Sequence, residues 1–351
     1  MASNRITTIS ITKIVLEVCT ILPLNSLWLG RMLEMKSTPA PIVLFVYNRP
    51  QHTQLTLEKL TKNILASSSD LFIFSDGPRT EVDRDRVNEV RAIVSKVHGF
   101  ARVTIVNRDH NMGLTQNIIT GISDIINRYG TAIVVEDDIV TSPYFLDYMN
   151  DGLNTYQQNP SIFSISGYGP PIPIRATYTE PVYWAPRSPS WGWATWADRW
   201  DRVDWAASTF ATFISNRRDR HAFNRGGNDL TDLLTQQVEG RINSWDICWC
   251  YAHYTNNAGC IYPIVSKVRN SGTDGSGTHY TSTSTKYDVV VDKLPPKSFP
   301  PTIDVDPIIL RQFKAFYDVS IRDRLKRVIV RILRRYHVPY DKVLHRKKVK
   351  N

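Results

Sequence analysis

The sequence of 351 residues is poor in cysteine and has neither a glycine-rich phosphate loop nor a long apolar run. The four cysteines are Cys19, Cys248, Cys250 and Cys260. They form no CxxC pair, which argues against a disulfide scaffold and favours a reducing cytosol. Neither GxGxxG nor GxxxxGK[ST] occurs, so the nucleotide sites built on these motifs are disfavoured. The apolar stretch 14–30 contains Glu17 and is shorter than a typical membrane span.

Positive charge is concentrated near one end of the chain. The sequence contains 43 Lys and Arg and 33 Asp and Glu, for a formal net charge of +10. Twelve of the basic and two of the acidic residues lie between positions 322 and 350, which leaves 31 of each sign elsewhere. Because the remainder is neutral, we expect no nucleic-acid partner for it.

Apolar runs alternate with helical patterns over the first half of the chain. Strands are predicted at 42–47, 71–75, 103–106 and 132–135, each followed by a helical pattern. This alternation predicts a parallel, doubly wound α/β sheet.

Each of these strands is followed by polar residues. Arg49 follows the first strand, Asp76 the second, and Glu136-Asp137-Asp138 the fourth. Because the carboxyl ends of adjacent parallel strands converge on one crevice, we expect these side chains to lie together. Three neighbouring carboxylates repel one another unless a cation lies among them, and Mn²⁺ or Mg²⁺ prefers carboxylate oxygens. The alternative is a solvated turn whose acids cap the next helix.

The second half of the chain is rich in aromatic residues. In Ser190–Trp196, Gly192 allows close backbone approach, and Trp191 and Trp193 could stack on sugar faces or pack in the core. Further along lie Ser244-Trp245-Asp246 and a glycine-rich loop that ends at His279.

In this order, the pieces resemble the GT-A-fold glycosyltransferases, in particular the N-acetylglucosaminyltransferase I family and related bacterial polysaccharide transferases. The resemblance covers roughly residues 41–279. It implies a Rossmann-like α/β fold with a mostly parallel sheet flanked by helices, and an acceptor-side extension. It also implies metal-dependent, inverting transfer of a hexosyl or N-acetylhexosaminyl group. The donor would be a nucleotide-diphosphate sugar, UDP-sugar in the first place, and the acceptor a saccharide or lipid-linked saccharide in cell-surface polysaccharide synthesis.

The resemblance also implies roles for individual residues. The nucleotide contacts would be Arg49, Asp76 and Asp137; the donor-sugar contacts Glu136, Trp191, Gly192 and Trp193; the ligands of Mn²⁺ or Mg²⁺ Asp138 and His279; and the catalytic base Asp246. A loop or turn position remains the alternative for Arg49 and Asp76, and a structural role for His279. A helix cap is the alternative for Asp246, in which case Asp229, Asp232 and Glu239 are the fallback acids.

We divide the chain into an N-terminal extension (1–38), a nucleotide-sugar-binding half (39–160), an acceptor and catalytic half of the same domain (161–303) and a basic tail (304–351). Apolar residues at helical spacing among arginines predict a basic amphipathic helix in this tail. We expect it to contact an anionic membrane surface on the cytoplasmic side, and packing on the body is the alternative. The competing functions are a sugar-nucleotide nucleotidyltransferase and a non-catalytic carbohydrate-binding protein.

Overall fold

Residues 38–188, 190–272 and 285–320 are described by the computed structural model. The predicted ligand His279, the extension before Thr38 and the basic tail beyond Ser320 lie outside the described residues. The described residues from Ala40 onward belong to one compact unit. No described helix combines the length and the apolar character needed to cross a bilayer.

An eight-stranded sheet has the strand order β3-β2-β1-β4-β8-β6-β9-β7. Its strands are β1 (Ile42–Val46), β2 (Asp70–Ser75), β3 (Arg102–Asn107), β4 (Thr131–Glu136), β6 (Ile162–Ser166), β7 (Val182–Ala185), β8 (Trp193–Trp196) and β9 (Gly259–Pro263). Six of them run in one direction, while β7 and β8 are antiparallel to their neighbours. Two short strands, β5 (Ile139–Thr141) and β10 (Val268–Asn270), form a separate antiparallel pair. The mostly parallel α/β fold predicted from the sequence is confirmed.

Helices connect the strands and flank the sheet. Their bounds are α1 (Pro50–Thr61), α2 (Glu81–Val94), α3 (Leu114–Tyr129), α4 (Phe145–Tyr156), α5 (Ala197–Trp200), α6 (Phe210–Ser215), α7 (Arg217–Phe223), α8 (Leu230–Val238), α9 (Trp245–Thr255) and α10 (Pro307–Tyr317). Helix α1 begins directly after Arg49, with Pro50 at its first position, where a missing backbone N–H costs no helical hydrogen bond.

Both faces of the central strand β1 are buried, as its continuous apolar sequence predicts. Ile42 and Leu44 pack in the core cluster that contains Leu60 of α1. Val43, on the opposite face, packs in the cluster that contains Ile122 of α3. Because helices cover both faces, polar chemistry is left to the ends of the strands.

The pairing of the strands sets the position of the candidate site. Strand β1 lies between β2 and β4, and all three are parallel. The residues that follow them, Arg49, Asp76 and Asp137, therefore emerge at the same edge of the sheet, as expected.

Candidate functional site

The acids after β4 lie close to a cation from the neighbouring strand. The Nη1 atom of Arg49 is 2.8 Å from Oδ2 of Asp138 and 3.6 Å from Oδ1 of Asp137. The side chains of all three residues are less than one-fifth exposed. The expected compensation of these carboxylates by a positive charge is thus supplied, in this structure, by a guanidinium group.

The backbone around this cluster is fixed by short hydrogen bonds. The carbonyl oxygen of Arg49 accepts from the backbone N–H and the hydroxyl of Thr53, each at 2.9 Å. The hydroxyl of Thr56 donates to the carbonyl of Asp137 at 2.8 Å. Helix α1 therefore anchors the backbone on both sides of the ion pair.

Burial and mutual repulsion disfavour the ionised forms of two of the acids. The pKa of Asp137 is raised to about 7 by burial and by the charge of Asp138, against the opposing effect of Arg49. The pKa of Glu136 is raised well above its ordinary value by burial and by the charges of Asp138, Asp137 and Asp246. Added positive charge at this point would stabilise the ionised forms of these acids.

The donor atoms fit a divalent cation that brings other ligands with it. Among the described residues, no group of three or more His, Cys, Asp and Glu has the arrangement to hold a metal ion by itself. Mg²⁺ commonly binds one or two protein carboxylates and completes its shell with phosphate oxygens and water. Asp138, whose Oδ2 already faces a cation, suits that kind of site.

Asp76 is 5% exposed, and both of its carboxylate oxygens accept hydrogen bonds from the protein. The backbone N–H of Gly77 donates at 2.9 Å, that of Met112 at 2.8 Å and that of Gly113 at 3.1 Å. The side-chain amide of Asn111 adds a bond at 3.2 Å. Because a carboxylate offers about four acceptor positions, Asp76 acts in this structure as the anchor of the loop before α3.

Asp246 lies in the first turn of α9, where it accepts a hydrogen bond from the hydroxyl of Ser244. The backbone N–H of Ser244 donates to the side chain of Gln237 at 2.8 Å. The charge of Asp246 contributes to the raised pKa of Glu136, so the two carboxylates lie within electrostatic reach of each other. Of the fallback acids, Asp229 is held by both terminal nitrogens of Arg187.

The predicted donor-sugar contacts Trp191, Gly192 and Trp193 occupy different environments. Trp191 is half-buried and meets Tyr168 and Tyr287 edge-on, with ring centroids 4.7 and 5.6 Å apart. Gly192 has φ +58°, and its carbonyl accepts from the N–H of Gly167 at 2.7 Å, so the turn requires a residue that tolerates a left-handed conformation.

Trp193 has no exposed surface. Its ring stacks on Trp245 with centroids 5.3 Å apart and also meets Trp249 at 5.7 Å. In this structure Trp193 is therefore a core residue, and the expected stacking on a donor sugar is replaced by stacking on tryptophan. All four residues of β8 are buried, as expected for a strand in the middle of a sheet that is covered on both faces.

Two parts of the site were not predicted from the sequence. Asp83, in the first turn of α2, accepts from the side-chain amide of Asn48 at 2.9 Å and so ties the residue before Arg49 to the helix. Ser271 donates its backbone N–H and its hydroxyl to the carbonyl of Asp138, at 2.8 and 2.9 Å. Ser271 and Gly272 belong to the glycine-rich stretch before His279, and that composition was the sequence signal that could have indicated a part of the site.

Comparison with known proteins gives remote structural likenesses. No protein-family model matches the chain, and no curated protein matches it. The mannosyltransferase PcManGT from Pyrobaculum calidifontis, solved in complex with GDP-Man and Mn²⁺, is 12% identical over 64% of this chain and 74% of that one, with a TM-score of 0.34. TarS of S. aureus is 10% identical over 64% of this chain and 37% of its own length, with a TM-score of 0.32.

Proposed function

We propose that this chain is a metal-dependent, inverting glycosyltransferase. The donor would be a nucleotide-diphosphate sugar, UDP-sugar in the first place, and the acceptor a saccharide or lipid-linked saccharide. The observation that carries the proposal is the cluster of Arg49 with Glu136, Asp137 and Asp138 at the ends of adjacent parallel strands, with Asp246 within electrostatic reach. Such a crevice offers both charges that a phosphorylated ligand and its cation need.

In this proposal the strand-end residues bind the donor. The Arg49 guanidinium provides paired N–H donors for phosphate or carbonyl oxygens, and Asp137 accepts from the ribose hydroxyls. Glu136 contacts the donor sugar, and its raised pKa favours the protonated form, which can donate a hydrogen bond to a sugar oxygen. A divalent cation at Asp138 would supply charge neutralisation for the diphosphate leaving group.

Asp246 is the proposed general base. Its carboxylate takes the proton of the acceptor hydroxyl as that oxygen forms a bond to the anomeric carbon. The bond between the anomeric carbon and the diphosphate oxygen breaks on the opposite face, and the nucleoside diphosphate leaves with the bonding electrons. Attack from the opposite face inverts the configuration at that carbon.

A nucleotide-sugar panel tests the proposal directly. Thermal unfolding is measured with UDP-, GDP- and other nucleotide sugars, with and without Mn²⁺. A true donor at about 100 times its dissociation constant stabilises the folded state by about 2.7 kcal/mol, and we expect this only when Mn²⁺ is present. Asp138→Asn is the matched variant. It should fold but should no longer be stabilised by the donor in the presence of Mn²⁺. Stabilisation that survives in Asp138→Asn would remove the assigned metal ligand, and no stabilisation by any donor would remove the proposed function.

We also propose that the basic tail brings the enzyme to the cytoplasmic face of the membrane. The support is the excess of ten positive charges between positions 322 and 350, combined with apolar residues at helical spacing. A lipid-linked acceptor would then be met at the surface that contains it.

A further inference from the structure

A guanidinium group occupies the position where a divalent cation was expected. The 2.8 Å between Nη1 of Arg49 and Oδ2 of Asp138 is the length of a charge-assisted hydrogen bond. Asp137 lies 3.6 Å from the same nitrogen. A cation cannot bind this edge of Asp138 while Arg49 remains there.

The ion pair is built into the fold on both sides. Arg49 is held at the start of α1 through its carbonyl bonds to Thr53. Asp138 is held through its carbonyl bonds to Ser271, which follows β10. The side chains of Arg49 and Asp138 are only 18% and 15% exposed, so water screens their attraction less than it would on the open surface.

The chain also covers the ion pair at Gly272. A Cβ atom added to Gly272 would lie 2.3 Å from Oδ2 of Asp138 and 2.5 Å from Nη2 of Arg49. Only a residue without a side chain lets the backbone approach so closely. The geometry therefore brings three separate segments, after β1, β4 and β10, together on one ion pair.

We infer that Arg49 competes with the divalent cation for Asp138, so that the site takes the cation together with a diphosphate and binds the cation alone poorly. This rests on the proposed function only in taking a diphosphate as part of the ligand. A cation alone must displace the guanidinium and leave it without that carboxylate. A diphosphate removes this cost, because its oxygens accept from Arg49 while they also coordinate the cation. Arg49 thus selects for the complex of cation and diphosphate.

Mn²⁺ binding to the full-length protein tests the inference, with the signal of free Mn²⁺ followed by electron paramagnetic resonance at fixed pH. Each titration with pyrophosphate is compared with the same titration without protein, because pyrophosphate itself binds Mn²⁺. We expect Arg49→Met to bind Mn²⁺ alone at least tenfold more tightly than the wild type. Inorganic pyrophosphate should raise the Mn²⁺ affinity of the wild type at least tenfold, and that of Arg49→Met by much less. Adding Asp138→Asn to Arg49→Met should abolish the gain.

Arg102→Met is the matched control. Arg102 forms an ion pair of 2.7 Å with Asp70. Both residues lie at the first positions of their strands, at the opposite ends of the strands from the site. Loss of this ion pair should leave Mn²⁺ binding unchanged. Should Arg49→Met fail to fold, Arg49→Gln removes the charge and keeps a donor to Asp138, with the same result expected. The inference is overturned if the neutral variant binds Mn²⁺ no more tightly than the wild type, or if pyrophosphate leaves the wild-type affinity unchanged.

These outcomes are independent of sugar transfer. A protein that shows the expected Mn²⁺ binding but transfers no sugar would leave the inference intact and remove the proposed function. If the wild type transfers sugar but Arg49→Met binds Mn²⁺ no more tightly than the wild type, the proposed function stands and the inference is overturned.

Discussion

Asp76 lies at the expected place, and in this structure its carboxylate binds the loop before α3. It follows β2 at the edge where a nucleotide contact was predicted, yet its oxygens are engaged by Gly77, Asn111, Met112 and Gly113. Its contribution to donor binding would then be indirect, through the loop that it anchors before α3.

Replacement of Asp76 by alanine should therefore destabilise the protein even without a donor. Three backbone N–H groups lose their acceptor, and each one left buried without a partner costs about 1–3 kcal/mol. We expect a lower urea midpoint and faster amide hydrogen exchange at Met112 and Gly113. The urea midpoint of Asp76→Asn, which keeps one side-chain oxygen, should lie between those of the wild type and Asp76→Ala. If Asp76→Ala unfolds like the wild type and only donor affinity drops, Asp76 is a direct contact.

Replacement of Asp246 should lower turnover and leave donor affinity nearly unchanged. Asp246→Asn preserves the shape of the side chain and its ability to accept from Ser244, but it removes the basic oxygen. We expect turnover to fall by about two orders of magnitude or more, with little change in the donor dissociation constant, as for the loss of a general base. A parallel loss of donor affinity would indicate a structural role, and Asp232 and Glu239 would then be tested in the same assay.

The residues at the strand ends were predictable because their positions follow from local sequence alone. An apolar run ends, a polar residue follows, and parallel pairing brings the ends together. The roles of Trp193 and Asp76 were not predictable in this way. Whether an indole meets a sugar or another indole, and whether a carboxylate meets a ligand or a loop, depends on residues more than thirty positions away.

At the level of elements, helix α9 contains a histidine whose ionisation is suppressed by burial. His253 is fully buried, and its Nδ1–H donates to the carbonyl of Trp249 at 2.8 Å. Its Nε2 accepts from the hydroxyl of Ser164 on β6, also at 2.8 Å. Burial lowers the pKa of His253 to about 4, so the neutral ring joins the helix to the sheet.

This burial predicts a loss of stability in mild acid. The unfolded chain takes up a proton near pH 6.5 and the folded chain only near pH 4, so the contribution of His253 is complete above pH 6.5 and lost as pH falls towards 4. Between pH 7 and pH 5 the loss is about 2 kcal/mol. His253→Gln should be less stable than the wild type at pH 7, with the difference shrinking at pH 5. Urea midpoints at both values check this, and a difference that stays constant would contradict it.

The first four strands were predicted within one residue of their bounds, whereas several short strands were missed. Strands β1 to β4 are continuous apolar runs, and α4 has an apolar face at helical spacing, so each is visible in its own sequence. Strands β5, β8 and β10 have three or four residues each. They exist because of a partner elsewhere in the chain, which no local pattern reveals.

For the whole molecule, the last described residues before the charged segment 322–350 are bound to the body. The N–H of Asn228 donates to the carboxylate of Asp318 at 2.8 Å, and its side chain exchanges two hydrogen bonds with the backbone of Val319. A chain that ends after Ser320 keeps these contacts and loses the charged segment, which makes it a cleaner truncation than one after Asp318.

We expect this truncated protein to keep its activity on soluble acceptors and to lose its binding to anionic vesicles. Each Lys or Arg near such a surface contributes roughly 1 kcal/mol, and added salt screens this attraction. Co-sedimentation of both forms at two salt concentrations, with neutral vesicles as the control, measures it. Equal pelleting of the two forms, or aggregation of the truncated form alone, would show that the tail packs on the body.

The insertion of β8 between β4 and β6 has a consequence for synthesis on the ribosome. Strand β4 is complete at Glu136, but its antiparallel neighbour begins only at Trp193. At about 5–20 residues per second, that edge of β4 stays without its partner for roughly 3–12 s. During this interval the nascent chain presents an apolar strand edge on which another chain can pair wrongly. Slow codons between positions 137 and 193 should therefore lower the yield of native protein more than slow codons placed after β9.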